Sequence, residues 1–311
     1  MIAGYYLLAA FWVRLFAPRR WGVLPDLLAR YQTRRPTAKS IAFTHRIRAV
    51  LTSGAADAVL PNLHRRHEAA IHQRVIFVTA LRRRGGWNPQ IRLRGLEELQ
   101  AARARGKGVI LWCDPFAHSA IIGKRAFAEA GIRPWHLSFT GHGLLNSAFA
   151  NRHLNPRAIE VEMRYLAGRI VFGPRSTTAA TREIVRILAS NGVVSLTNNA
   201  YIGRAIETPF GVGMLRLART PLHLATSRGI PLLPFQVIER ERFVRYEVIV
   251  GPDLTRQLPP GASDPVQALA ALYADYLMPL AAAEPAQFAG WTMMRSRDEI
   301  TMPAGTSPSP A

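Results

Sequence analysis

The 311-residue chain carries one cysteine, Cys113, and only three lysines, Lys39, Lys107 and Lys124, among its forty basic residues. A single thiol forms no internal disulfide and builds no thiolate metal site, which suits a reducing compartment. Acidic residues are also scarce, twenty against forty, for a formal charge of +20. That balance disfavours cationic partners and attracts phosphates, acidic carrier proteins, anionic lipid and nucleic acid. Because almost all of the excess is arginine, a functional basic face and a plain arginine bias both account for it. No zinc finger, helix-turn-helix spacing or aromatic-basic strand is present, and the arginines are spread over every segment, so no nucleic-acid partner is expected. His64, His67 and His72 come without a carboxylate pattern, so neither a metal nor another cofactor is expected.

The N-terminus lacks the run of about 20 apolar residues that a transmembrane helix needs. Residues 2–16 are apolar except for Arg14, and no small-residue cleavage pattern follows. Tyr5, Tyr6, Phe11 and Trp12 beside Arg14, Arg19 and Arg20 suit a helix lying in, or dipping into, the headgroup layer of an anionic leaflet. The alternative is a buried first helix of the domain. Positive-inside logic puts these arginines on the cytoplasmic side of the cell inner membrane, with the protein peripheral or held by a single N-terminal anchor.

The stretch most loaded with chemistry is 108–127, GVILWCDPFAHSAIIGKRAF. An apolar run ends abruptly in Cys113-Asp114-Pro115 and a helical pattern begins a few residues later. This is a buried strand delivering polar groups to a helix mouth, where α/β proteins usually do their work. Around it, strands are expected at 91–93, 109–112, 135–139, 193–197, 232–237 and 243–250. Helices are expected at 96–105, 119–129 and 178–190, with 215–228 largely helical. The rhythm predicts an α/β fold with a mostly parallel central sheet and helices on both faces, its last two strands forming an antiparallel edge hairpin. Residues 264–278 form a final helix capped by Asp264 with Pro265 in its first turn. Residues 36–86 are expected to form two or three amphipathic helices broken near Pro61. The expected divisions are an interfacial helix at 1–35, a helical lead-in at 36–90, the α/β domain at 91–297 and a Pro/Ser-rich disordered tail at 298–311.

Several segments in this order carry a resemblance. Gly95-Leu96-Glu97-Glu98-Leu99, then 104–111, ARGKGVIL, and Tyr201-Ile202-Gly203-Arg204 with Pro209-Phe210-Gly211 are similar to stretches of the bacterial lipid A secondary acyltransferases, the lauroyl and myristoyl transferases of the lysophospholipid acyltransferase superfamily. So are the helical segment 184–192, residues 229–235, GIPLLPF, and Pro285, Gln287, Phe288 and Trp291 followed by Arg295. The resemblance spans residues 40–297. It implies a membrane-associated enzyme moving a fatty acyl group from an acyl-carrier-protein or CoA thioester to a hydroxyl or amine of a lipid or glycolipid acceptor.

The residues that do this chemistry in the family are missing. It uses His-x4-Asp/Glu directly after the strand, the histidine as base and the carboxylate as its orienter. Here the histidine position falls near Pro115 or Phe116 and the carboxylate near Ala120 or Ile121. The family's acidic pair falls on Asn198-Asn199-Ala200, and an arginine of the family falls near Thr140. One repair is a reversed dyad. Asp114 and His118 are four apart and share a face if the helix has begun by then, with His118 as base and Asp114 fixing its tautomer. The other reading is a catalytically inactive homologue that binds lipid or a partner protein. His136, His142 and His153 are further sources of a base. Cys113 suits either an acyl-thiol role or small buried packing, and Ser119 either a nucleophile or a helix cap. Lys124, Arg125, Arg169, Arg175 and Arg204, with Asn198, are the candidate substrate-binding residues, the cations meeting phosphates of the thioester carrier or an anionic glycolipid.

Overall fold

A computed structural model describes residues 2–35, 37–48, 56–83, 86–139, 148, 150–173, 176–198 and 205–295. The chain begins with four helices, α1 (Ile2–Leu15), α2 (Val23–Gln32), α3 (Ala38–Arg48) and α4 (Ala56–Arg82). There follow β1 (Gln90–Arg94), α5 (Leu96–Ala104), β2 (Val109–Cys113), α6 (Lys124–Glu129), β3 (Trp135–Phe139), α7 (Asn155–Met163), β4 (Gly168–Phe172), α8 (Thr177–Ala189) and β5 (Val193–Thr197). The chain continues through β6 (Ala205–Phe210), β7 (Gly213–Ala218), α9 (Arg219–Arg228), β8 (Leu232–Glu241), β9 (Arg245–Val250), α10 (Pro265–Ala283) and β10 (Met294–Arg295).

Seven strands form one sheet in the order β1-β9-β8-β2-β5-β3-β4, in which only the β8–β9 pair is antiparallel. The fold is therefore α/β with a mostly parallel sheet. All five residues of β2 are buried, as a strand covered on both faces requires. Its alternate residues enter two different cores: Ile110 and Trp112 pack with α8, α9 and α10, whereas Val109, Leu111 and Cys113 pack with α6, α7 and part of α4. Gly108 opens this strand at φ +69°, where a Cβ would lie 2.6 Å from the Leu188 carbonyl oxygen, so a side chain there would force β2 away from the end of α8.

Several expected boundaries are displaced. Residues 215–228 are not one helix: Leu215 and Leu217 are buried while Met214, Arg216 and Ala218 are less so, and this period-two pattern forms β7 before α9 begins. β7 pairs with β6 and β10 in a separate three-stranded antiparallel sheet that composition did not suggest. The β8–β9 hairpin is antiparallel but lies inside the sheet, because β1 pairs with β9 and takes the edge. β4 and α7 were not anticipated. α4 runs on through Pro61 because packing at Leu60, Leu63 and from Val75 to Leu81 outweighs the cost of the proline. The last helix extends to Ala283, beyond the expected 278, and Asp264 does cap it, accepting from the backbone N–H groups of Val266 and Gln267 at 3.0 Å each. α10 is long and apolar enough to cross a membrane, but its Tyr273, Ala274 and Leu277 sit in the protein core.

Tyr6, Ala9 and Val13 of α1 and Leu24 of α2 share one hydrophobic core with Val75 to Val78 of α4 and with Leu111 of β2. The expected tail at 298–311 lies outside the described residues.

Candidate functional site

The β2–α6 junction combines burial with unsatisfied polar groups. Five of the twelve buried side-chain atoms without a hydrogen-bond partner among the described residues come from 112–119: Trp112 Nε1, Asp114 Oδ2, both ring nitrogens of His118, and Ser119 Oγ. Buried polar groups are nearly always paired, so such a concentration marks a place where packing does not dictate the residue types.

Backbone geometry explains why the expected reversed dyad does not form. Residues 114–118 are not helical; the first helical turn, of wide π type, spans Ser119–Gly123. A four-residue spacing therefore does not put Asp114 and His118 on one face, and no hydrogen bond joins them. Asp114 turns toward α10, where its Oδ1 accepts from the Tyr273 hydroxyl at 2.8 Å. Burial pushes its carboxyl well above the usual carboxylate range, against the hydrogen bond from Tyr273. His118 turns to the other side of the sheet, its ring 5.4 Å from that of Phe77 and 5.7 Å from that of Tyr246. Its Nε2 stands 3.7 Å from Glu239 Oε2. Burial lowers its pKa against the opposing pull of Glu239, so the ring is neutral.

Glu239 is the residue that sequence reasoning missed. Its Oε1 accepts from Tyr246 Oη at 2.7 Å and the Phe243 backbone N–H at 3.0 Å, and its Oε2 accepts from Gln73 Nε2 at 3.1 Å. In the sequence it belongs to a charged run, 239–242, that looks like an exposed turn; only the length of β8 carries it inward.

The mouth of the junction is covered. The Ala117 N–H donates to the Gln287 carbonyl at 2.8 Å and the Ala289 N–H to the Pro115 carbonyl at 2.6 Å, and Phe116 packs edge-on against Phe288 at 5.5 Å. Asp114 is 0% and His118 1% exposed as a result. Cys113 is also buried, and burial pushes its thiol up to about 12, which removes it as a nucleophile at neutral pH. Ser119 does not cap a helix: it is the first residue of the π turn, and His118 holds the N-cap position.

The substrate-binding candidates are dispersed. Lys124 Nζ pairs with Glu162 Oε2 at 2.8 Å inside the protein, so its charge meets an internal carboxylate rather than a phosphate. Arg125 is likewise turned inward, donating to the Trp87 carbonyl at 3.0 Å, to Asn88 Oδ1, and to Glu129 at 2.6 Å. Arg169 Nε donates to Ser138 Oγ at 3.1 Å, and burial draws its pKa down against Glu162. Asn198 ties β5 to β7, its Oδ1 accepting from the Ala218 N–H at 3.0 Å and its Nδ2 donating to the Arg216 carbonyl at 3.2 Å, which is a structural duty. Of the other histidines, His136 Nδ1 lies 3.4 Å from Ser195 Oγ in the sheet, and His153 lies in the turn Ala150–Leu154. Arg175, Arg204 and His142 lie outside the described residues. Among the described residues no group of three or more metal-ligating side chains comes together. Neither a family model nor a curated protein matches the chain.

Proposed function

We propose that the protein is a lipid-binding member of the acyltransferase-like α/β group that rests on the cytoplasmic face of an anionic inner membrane. One observation carries the reading. Seven of the eleven exposed large apolar side chains among the described residues fall between 7 and 31: Leu7, Leu8, Phe11 and Leu15 on α1, and Val23, Leu27 and Tyr31 on α2. Both helices lie on α4 and bury their opposite sides there, so each turns apolar surface away from the protein. Such surface beside Arg14, Arg19, Arg20, Arg30, Arg34 and Arg35 suits the boundary between acyl chains and anionic headgroups. Burial of the β2–α6 junction supports binding in place of turnover.

The test is flotation with vesicles. Wild type is expected to partition with phosphatidylglycerol-rich vesicles and to ignore duplex DNA at physiological salt. Leu7→Ser with Phe11→Ser should weaken that partition by about tenfold or more, from the loss of two inserted side chains. Equal partition of the double variant would sink the reading.

A second reading is favoured by the approach of His118 to Glu239. In it, His118 removes the proton of an acceptor hydroxyl or amine, Glu239 holds the ring, and the acyl group passes from a carrier-protein or CoA thioester to that acceptor, the freed thiol leaving with the proton. It requires the 287–289 segment to lift. Thioester consumption with acyl carrier protein, lost in His118→Ala and retained in Asp114→Asn, is its signature; equal turnover in His118→Ala removes His118 from the chemistry.

A further inference from the structure

A cleft of about 360 Å³ opens where the turn between α1 and α2 meets the end of α4 and the β8–β9 turn. Its volume falls in the range of small-molecule sites. Phe16, Trp21, Trp87 and Phe243 are among its walls. The indole N–H of Trp21 is spent on the Phe16 carbonyl at 2.7 Å and that of Trp87 on the Phe243 carbonyl at 2.6 Å; these two rings and that of Phe243 are buried against one another, and the half-buried Phe16, Pro18 and Val244 form the accessible apolar wall.

Arg83 is the cation among the lining residues, while the Arg242 guanidinium lies over the Phe243 ring at 5.9 Å and pairs with Asp26. Arg83 lines the cleft, its Nη1 donates to the Val13 carbonyl at 3.0 Å, and among the described residues its guanidinium makes no other hydrogen bond and no ion pair. Its exposed neighbour Arg82, by contrast, is 3.4 Å from the Glu160 carboxylate. A planar guanidinium with an unused edge matches a carboxylate through two parallel N–H bonds. The cleft also adjoins the end of α1, whose Phe11 and Leu15 are exposed.

We propose that this cleft binds a fatty carboxylate, its chain against Phe16, Pro18 and Val244 and its head on Arg83. The choice of an amphiphile rests on the lipid-binding reading above; the position, the polarity and the single anionic head come from the cleft itself. Phe77 stands between the two places, stacked on Trp87 at 4.8 Å and 5.4 Å from the His118 ring, and His118 is not among the lining residues of the cleft. The ligand site is thus separate from the buried junction.

The test uses the full chain and two soluble probes, decanoate and decanol, followed by calorimetry and by tryptophan quenching with a terminally brominated decanoate. Decanoate is expected to bind saturably and about tenfold or more tighter than decanol, with the brominated probe quenching tryptophan emission. Arg83→Gln should abolish the preference for decanoate, and Val244→Trp, which adds bulk to the cleft, should abolish binding of both probes, with vesicle partition unchanged in each. The absence of saturable decanoate binding, or equal affinity for decanoate and decanol, overturns the proposal using wild type alone. So does unaltered binding in a folded Val244→Trp. Failure here with vesicle partition intact leaves the membrane reading standing, and the converse result leaves the cleft.

Discussion

Lys124 Nζ and Glu162 Oε2 are 2.8 Å apart with only 2% and 3% of their side chains exposed, joining the start of α6 to α7 through a buried ion pair. Removing one partner of such a pair costs about 3–5 kcal/mol, because the other charge is stranded without water. Lys124→Met is expected near the lower end, since Arg169 also interacts with Glu162. Replacing both, as Lys124→Met with Glu162→Leu, should recover most of that loss. Urea midpoints of the three proteins check this, and additive losses in the double variant would show that the two charges do not interact.

Asp114 gives a pH signature. Its folded pKa is raised by burial above the unfolded value of about 3.9, so the folded form holds its proton more tightly. The associated stability is full below about pH 4 and is lost as pH rises toward the folded pKa. Asp114→Asn keeps an acceptor for Tyr273 and has no proton to lose. It should match wild type near pH 4 and exceed it near pH 7 in urea midpoint; a variant weaker than wild type at both pH values would contradict the assignment.

His118 has the opposite sign. Its folded pKa is lowered by burial, so the unfolded chain takes up a proton that the folded one refuses, and stability falls as pH drops through the unfolded value of about 6.5. The ring resonances of His118, assigned by comparison with His118→Gln, are expected to stay at their neutral positions through pH 6.5 in the folded protein. A titration midpoint there would mean that the ring reaches solvent.

Cys113 should be inert while the fold lasts. With the thiol pushed up to about 12 and out of solvent, iodoacetamide at pH 8 is expected to label it only in denaturant. Rapid labelling of the native protein would mean that the 287–289 segment opens readily.

Much of the central sheet was legible because buried parallel strands are short apolar runs between glycines and polar turns: Trp135–Phe139 and Val193–Thr197 form as expected, and Val109–Cys113 extends the expected strand by one residue. β7 was not, because Gly213–Ala218 has its leucines two apart but leads directly into a leucine- and arginine-containing helix, and only pairing with β6 reveals the strand. At the site, the importance of the β2–α6 junction was legible from the abrupt Cys113-Asp114-Pro115, yet the partner of His118 was not. Glu239 is 121 positions away in sequence, and its approach depends on β8 lying beside β2. The placement of Asp114 was misjudged because helix spacing was applied one turn before the helix starts.

The pairing of Pro115 and Ala117 with residues 287–289 has a consequence for biosynthesis. All seven strands of the larger sheet are translated before Phe288, so the nascent sheet spends its final stage with the β2 end uncapped and Phe116 wet. Domains that finish late in this way expose their interior to chaperones during synthesis, and a chain stopped before Gln287 should leave the ribosome with its apolar sheet end available for aggregation.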